Sequence, residues 1–109
     1  MNPAPSLPVH CRGNLFPISE LVPHPGSVEA PPSAHRVALR VEALRRNGWR
    51  DPVIVSRQTG HTVIGSDLVE AARQLGLDRV PVEEQDFCGA SEEAAMLALD
   101  AISPALIRG

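Results

Sequence analysis

The sequence contains no lysine and no tyrosine, and aromatic residues of any kind are scarce. All ten basic residues are arginine, and the three aromatic residues are Phe16, Trp49 and Phe87. A surface that stacks nucleic-acid bases needs several exposed rings, so this mode of binding is not expected. We expect Trp49 to be a core or lid residue beside the first strand of a hairpin, and an anchor for a binding partner is the alternative.

Long apolar runs are also missing. The longest, at positions 94–99, has six residues, whereas a membrane helix needs about 20. The first residues lack the basic and apolar stretches of a signal peptide. Cys11 and Cys88 are too few for a disulfide framework, and their spacing fits no zinc motif. We therefore expect a reduced, cytoplasmic protein without membrane contact.

Proline is abundant and unevenly placed, with eight of eleven residues in the first 32 positions. Together with the glycine content, this disfavours a coiled coil or a long helical bundle. We predict a flexible proline-rich arm over residues 1–14 and one domain over residues 15–109, since the chain is short.

The charge is concentrated in the middle of a chain whose net charge is −3. Residues 35–57, called here the basic segment, carry six arginines against two acids, while residues 58–109 carry three arginines against nine acids. Contact with phosphate or nucleic acid and a solvated helix face both explain such a segment. The residues we expect to bind DNA, weakly and at low salt, are Arg36, Arg40, Arg45 and Arg46.

Local patterns predict a small α/β (α+β) domain with a mixed sheet and about three helices. Ser33 is a typical N-cap for a first helix that ends at Gly48. Two β-branched runs around a turn at residues 57–60 predict a hairpin. Ser66 or Asp67 is expected to cap a second helix. The remaining predictions are a loop over 22–32 and a third helix from Ser91. A third strand is predicted at 80–82, where Pro81 indicates an edge strand or the start of a strand.

The order of these pieces resembles the superfamily of ParB N-terminal domains and sulfiredoxin, over about residues 16–100. The segments that carry the resemblance are Glu20–Pro25, Asn47–Trp49, Asp51–Val55, Val63–Gly65, Glu70–Leu77 and Val80–Val82. The resemblance implies a phosphate or nucleotide pocket where a strand ends in Gly65 and the next helix presents free N–H groups. Its implied ligands are CTP or ATP with Mg²⁺.

The chain departs from the family pattern inside this pocket. Leu68 and Glu70 stand where arginines are usual, Ser66 replaces the sulfiredoxin cysteine, and Glu29 lies near another arginine position. Carboxylates would oppose a triphosphate, so we expect weak or lost nucleotide binding. Gly65, Ser66, Asp67 and His24 remain the candidate anion-binding residues, and a plain helix cap is the alternative.

Two function classes remain open. The first is a ParB-like regulatory or adaptor module that contacts a protein partner or DNA, with a homodimer among the partners considered. The second is an enzyme of the same fold (a nuclease, ATPase or kinase) that uses Asp67, Glu70 and Glu29 with a divalent metal beside His24. We assign no residue as an established metal ligand, and we expect His10, His35 and His61 at the surface.

Overall fold

The computed structural model describes residues 7–102, and within this range it contains one sheet flanked by helices. The strands are β1 (Asn14–Pro17), β2 (Val22–Pro23), β3 (Val53–Ser56), β4 (His61–Ile64) and β5 (Arg79–Gln85). The helices are α1 (Pro25–Glu29), α2 (Ala34–Asn47), α3 (Ser66–Gln74) and α4 (Ala90–Ile102), with a 3₁₀ turn at Ile18–Glu20.

The sheet is mixed, in the order β1-β5-β3-β4-β2. Strand β3 runs antiparallel to β4 and parallel to β5. The outer strands complete it, since β1 is antiparallel to β5 and β2 is parallel to β4. The predicted fold class and the hairpin of β3 and β4 are confirmed.

The core has one apolar cluster on each face of the sheet. Val53 belongs to the cluster with residues of α2 and α3, whereas its neighbour Ile54 packs with Val63, Phe87 and part of α4. Successive side chains of a strand point to opposite faces. Helices α2 and α3 therefore cover one face, and α4 covers the other.

The predicted loop over residues 22–32 is wrong, because it contains β2 and α1. The imidazole of His24 caps α1 by accepting a hydrogen bond from the Gly26 N–H at 2.9 Å. Pro25 follows at the first helical position, where its missing N–H costs nothing and its fixed φ suits a helix. The described chain thus has four α-helices rather than about three.

The first described residues contact the domain. Leu7 and Cys11 pack against the cluster on the α2 and α3 face. The Trp49 N–H donates to the Pro8 carbonyl at 2.7 Å, and the His10 N–H donates to the Trp49 carbonyl at 2.8 Å. The packed unit therefore begins before residue 14, and the part of the predicted arm at residues 1–6 lies outside the described residues. Trp49 is a core residue, as predicted, with 2% of its surface exposed.

Candidate functional site

The turn at Gly65 connects β4 to α3 and forms the floor of the site. Gly65 has φ +101°, and an added Cβ would lie 3.3 Å from Val53 Cγ2. Glycine suits both the positive φ and this close approach. The Gly65 N–H is already used, since it donates to Asp100 Oδ2 at 3.0 Å.

The side chain of Asp67 lies buried in the first turn of α3, with 2% of its surface exposed. Its Oδ2 accepts hydrogen bonds from Arg36 Nη2 at 2.9 Å and from Arg40 Nε at 3.0 Å. The Leu68 N–H donates to its Oδ1 at 2.8 Å. The predicted cap by Ser66 or Asp67 is therefore wrong: Gly65 is the N-cap and no side chain caps the helix. The carboxylate faces the arginines of α2 instead.

The four arginines of the predicted DNA surface separate into two pairs. Arg36 and Arg40 are 17% exposed and point at Asp67. Arg45 and Arg46 are exposed in the last turn of α2, where Arg46 also faces Glu42 at 3.4 Å. Arg36 and Arg40 form ion pairs with Asp67 within the molecule, which leaves Arg45 and Arg46 as the exposed members of the predicted set. DNA binding through these residues stays a prediction.

The C-terminal end of α4 contacts the same group of charged side chains. Arg36 donates to the backbone carbonyls of Asp100, at 2.8 Å, and of Ala101. Burial raises the pKa of the Asp100 carboxyl; the hydrogen bond from Gly65 opposes this rise, and the nearby Asp67 carboxylate adds to it. Two carboxylates and two arginines thus meet where α3 begins.

Two clefts lie beside this cluster. The larger, about 450 Å³, runs between α1, the start of α3 and α4, and Gly26, Ser66 and Asp100 are among the residues that line it. The smaller, about 190 Å³, is lined by Thr62 and Glu70 among others. The buried Thr62 hydroxyl has no hydrogen-bond partner among the residues that the structure describes.

The candidate catalytic acids do not converge. Asp67 is buried in its ion pair, Glu70 is half-buried at the smaller cleft, and Glu29 is exposed on α1. Over residues 7–102, the only group of three side chains spaced to hold a metal ion is His24, His61 and Glu93. Of the candidate anion-binding residues, Gly65, Ser66 and Asp67 lie together, whereas His24 belongs to that other group.

Sequence reasoning missed Asp100 and Glu93, and it placed His61 at the surface, where the structure finds it half-buried. The sequence did contain a signal for Asp100, because it is the one acid that follows the six-residue apolar run at positions 94–99. The only signal at Glu93 was that acids are favoured in the first turn of a helix. Nothing in the sequence connects positions 24, 61 and 93.

Comparison with known proteins gives both sequence and structural matches. No protein-family model matches the chain. The ParB-like nuclease domain-containing protein YnaK of Escherichia coli (strain K12) is 35% identical over 66 residues, which are 61% of this chain and 74% of that protein.

Solved structures match at the level of the fold. Sulfiredoxin from Arabidopsis thaliana superposes with a TM-score of 0.59 and 18% identity, over 78% of this chain and 94% of that one. The C-terminally truncated chromosome-partitioning protein ParB from Caulobacter crescentus, complexed with CTP-γ-S, superposes with a TM-score of 0.63 and 18% identity, over 82% of this chain and 52% of that one. A Pnob8-like ParB-N domain superposes with a TM-score of 0.59 and 19% identity, over 76% of this chain and 33% of that one.

None of the helices within residues 7–102 combines the length and apolar character that crossing a membrane requires.

Proposed function

Because this chain belongs to the ParB-like family, within the superfamily that ParB N-terminal domains share with sulfiredoxin, we propose that it is a regulatory or adaptor module. It acts by contacting protein or DNA, and nucleotide binding in the pocket at Gly65 is weak or lost. A second copy of the chain and other proteins are both candidate partners, and a cytoplasmic location stays a prediction.

The observation that carries this proposal is the position of Asp67. A helix N-terminus with two converging arginines is a site for an anion. Here the anion is a carboxylate of the chain itself, within 3.0 Å of both guanidinium groups. A nucleotide phosphate entering the same place would have to displace Asp67 and would also meet Asp100.

Thermal unfolding with CTP or ATP and Mg²⁺ tests the proposal. We expect nucleotide to raise the wild-type unfolding temperature little or not at all. Asp67→Asn removes the competing charge and keeps an oxygen for the arginines, so we expect this variant to be stabilised by either nucleotide. A ligand at 100 times its Kd stabilises the folded state by about 2.7 kcal/mol, which such an assay detects.

The matched control is Asp78→Asn, which neutralises an exposed acid before β5. It should unfold at one temperature whether nucleotide is present or absent. A wild-type shift of several degrees that Asp67→Asn abolishes would contradict the proposal and favour an enzyme that uses Asp67.

A second candidate is a metal-dependent nuclease, favoured by the name of the 35% identical relative. Glu70, half-buried at the smaller cleft beside Thr62, is a candidate acid outside the ion pairs that Asp67 forms with Arg36 and Arg40. Cleavage of supercoiled plasmid with Mg²⁺ or Mn²⁺, lost in Glu70→Gln, supports this function. No cleavage with either metal excludes it.

A further inference from the structure

Glu93 is a buried carboxylate whose hydrogen bonds leave its charge unbalanced. The residue is 2% exposed in the first turn of α4. Its Oε2 accepts from Ser56 Oγ at 2.9 Å, and Thr59 Oγ1 lies 3.1 Å from Oε1. Both donors are neutral hydroxyls. A buried carboxylate is normally paired with a cation or coordinates a metal.

Two imidazoles stand beside this carboxylate. His24 Nε2 lies 3.9 Å from Glu93 Oε1. The ring of His61 meets that of His24 edge-on, with centroids 5.5 Å apart. One ligand atom from each of the three residues lies within 4.8 Å of the others. Both imidazoles are half-buried, so an ion can reach them from solvent.

Three parts of the fold build this cluster. His24 follows β2, whose Val22 pairs with His61 at the start of β4. The turn between β3 and β4 contributes Thr59, and α4 packs on β4 and brings Glu93. The cluster therefore sits on paired strands and a packed helix, which fix its geometry, and Asp67 is not part of it.

We propose that His24, His61 and Glu93 bind a divalent transition-metal ion of the Zn²⁺ class. Two imidazoles and one carboxylate are a donor set that zinc takes in sites with an open fourth position. Mg²⁺ and Ca²⁺ prefer sites built from oxygen alone. The ion supplies the positive charge that Glu93 lacks, and its fourth position is left for water or an anionic oxygen.

Coordination changes the hydrogen bonding of His24. Its Nδ1 accepts from the Gly26 N–H, so in this tautomer Nε2 carries the proton. When Nε2 takes the metal, that proton moves to Nδ1, because losing it to solvent would leave an imidazolate. A proton on Nδ1 ends the hydrogen bond that caps α1. Metal binding is therefore coupled to the first turn of α1, whose Gly26 lines the larger cleft.

Titration of the full chain with Zn²⁺ by calorimetry, and with Co²⁺ followed by visible absorption, tests this site. We expect one equivalent to bind, and Co²⁺ to give the strong visible bands of four-coordinate geometry. His61→Ala and Glu93→Gln should each weaken binding at least tenfold. His35→Ala, an exposed histidine on α2, and Cys88→Ser, an exposed thiol, should leave the affinity unchanged.

Circular dichroism establishes that each variant is folded, and His61→Ala decides the question if Glu93→Gln does not fold. The proposal is overturned if the wild type binds no stoichiometric metal, if His61→Ala binds as tightly as the wild type, or if Cys88→Ser abolishes binding.

Discussion

Asp67 lies two positions after the glycine that follows β4, and its carboxylate is directed at α2 rather than at solvent. The sequence identified this residue as a possible helix cap and as a candidate for an anion or metal site. It did not reveal the partners, since Arg36 and Arg40 lie 31 and 27 positions away in the chain. Breaking such a buried pair by removing one partner costs about 3–5 kcal/mol, so Asp67 also contributes to stability.

Asp100 supplies a prediction about pH. Burial raises the pKa of this carboxyl, so the folded chain binds its proton more tightly than the unfolded chain. The free energy of unfolding therefore falls as pH rises from about 4, the ordinary pKa of an aspartate, through the raised folded value. We expect Asp100→Asn to unfold at a higher temperature than the wild type at pH 7, and the difference to disappear below about pH 4.

Thermal unfolding across this pH range measures the effect. Glu84→Gln, at an exposed position of β5, is the control and should show no such pH-dependent difference. A wild type that is more stable than Asp100→Asn at pH 7 would show that the charge of Asp100 stabilises the fold.

Helix α3 depends on the backbone at its first turn. The sequence predicted a polar side chain as its cap, whereas the structure begins it at Gly65 with φ +101°. Because the cap is a backbone conformation, the side chain of Asp67 is free to bind the arginines. The backbone conformation at the start of α3 therefore affects whether Asp67 can bind Arg36 and Arg40.

Gly65→Ala tests this coupling. The positive φ strains any other residue, and the new Cβ would lie 3.3 Å from Val53 Cγ2 and 3.4 Å from its Cα. We expect a loss of roughly 2–3 kcal/mol in the free energy of unfolding, measured with urea.

The matched control is Gly60→Ala, which also has a positive φ, of +76°, but has no atom within 4 Å of the added Cβ. Its free energy of unfolding should fall only by the cost of a positive φ for a residue with a Cβ, about 1 kcal/mol. Equal losses in both variants would mean that the contact with Val53 is irrelevant.

Elements with strong local signals were predicted, and elements without them were not. Ser33 caps α2 by accepting from the Arg36 N–H at 3.2 Å, as its position indicated. Strands β3 and β4 followed from β-branched runs around a turn. Strand β2 and helix α1 are too short for any periodicity. Pro81 predicted either an edge strand or the start of a strand, whereas β5 lies between β1 and β3. The pairing of β5 with β3 begins only at Val82, so Pro81 is paired on one side, with β1.

At the scale of the whole molecule, the fold divides the basic segment between its interior and its surface. Arg36 and Arg40 pair with Asp67 inside the fold, whereas Arg45 and Arg46 lie exposed on α2. The chain as a whole carries −3, so long-range attraction to DNA is small.

We therefore expect weak, non-specific DNA binding at low salt only. The variants Arg45→Ala and Arg46→Ala should each reduce the affinity for DNA. Each should lower the slope of log K against log salt by about 0.9 in a mobility-shift titration. Arg79→Ala, on exposed β5 surface, is the control and should change the slope less. Sequence-specific binding at physiological salt would contradict this.

The sequence by itself determined the fold class, most of the helices and strands, and the glycine turn, because these depend on local periodicity, caps and turn residues. It also identified Glu70 and Glu29 at or near positions where the family has arginines, and Asp67 as a candidate site residue beside them. Only the tertiary structure decided which groups these candidates contact. The ion pair of Asp67 joins two helices, and the group of His24, His61 and Glu93 joins a strand end, a neighbouring strand and a helix. Such contacts are set by packing between distant segments, and spacing along the chain does not encode them.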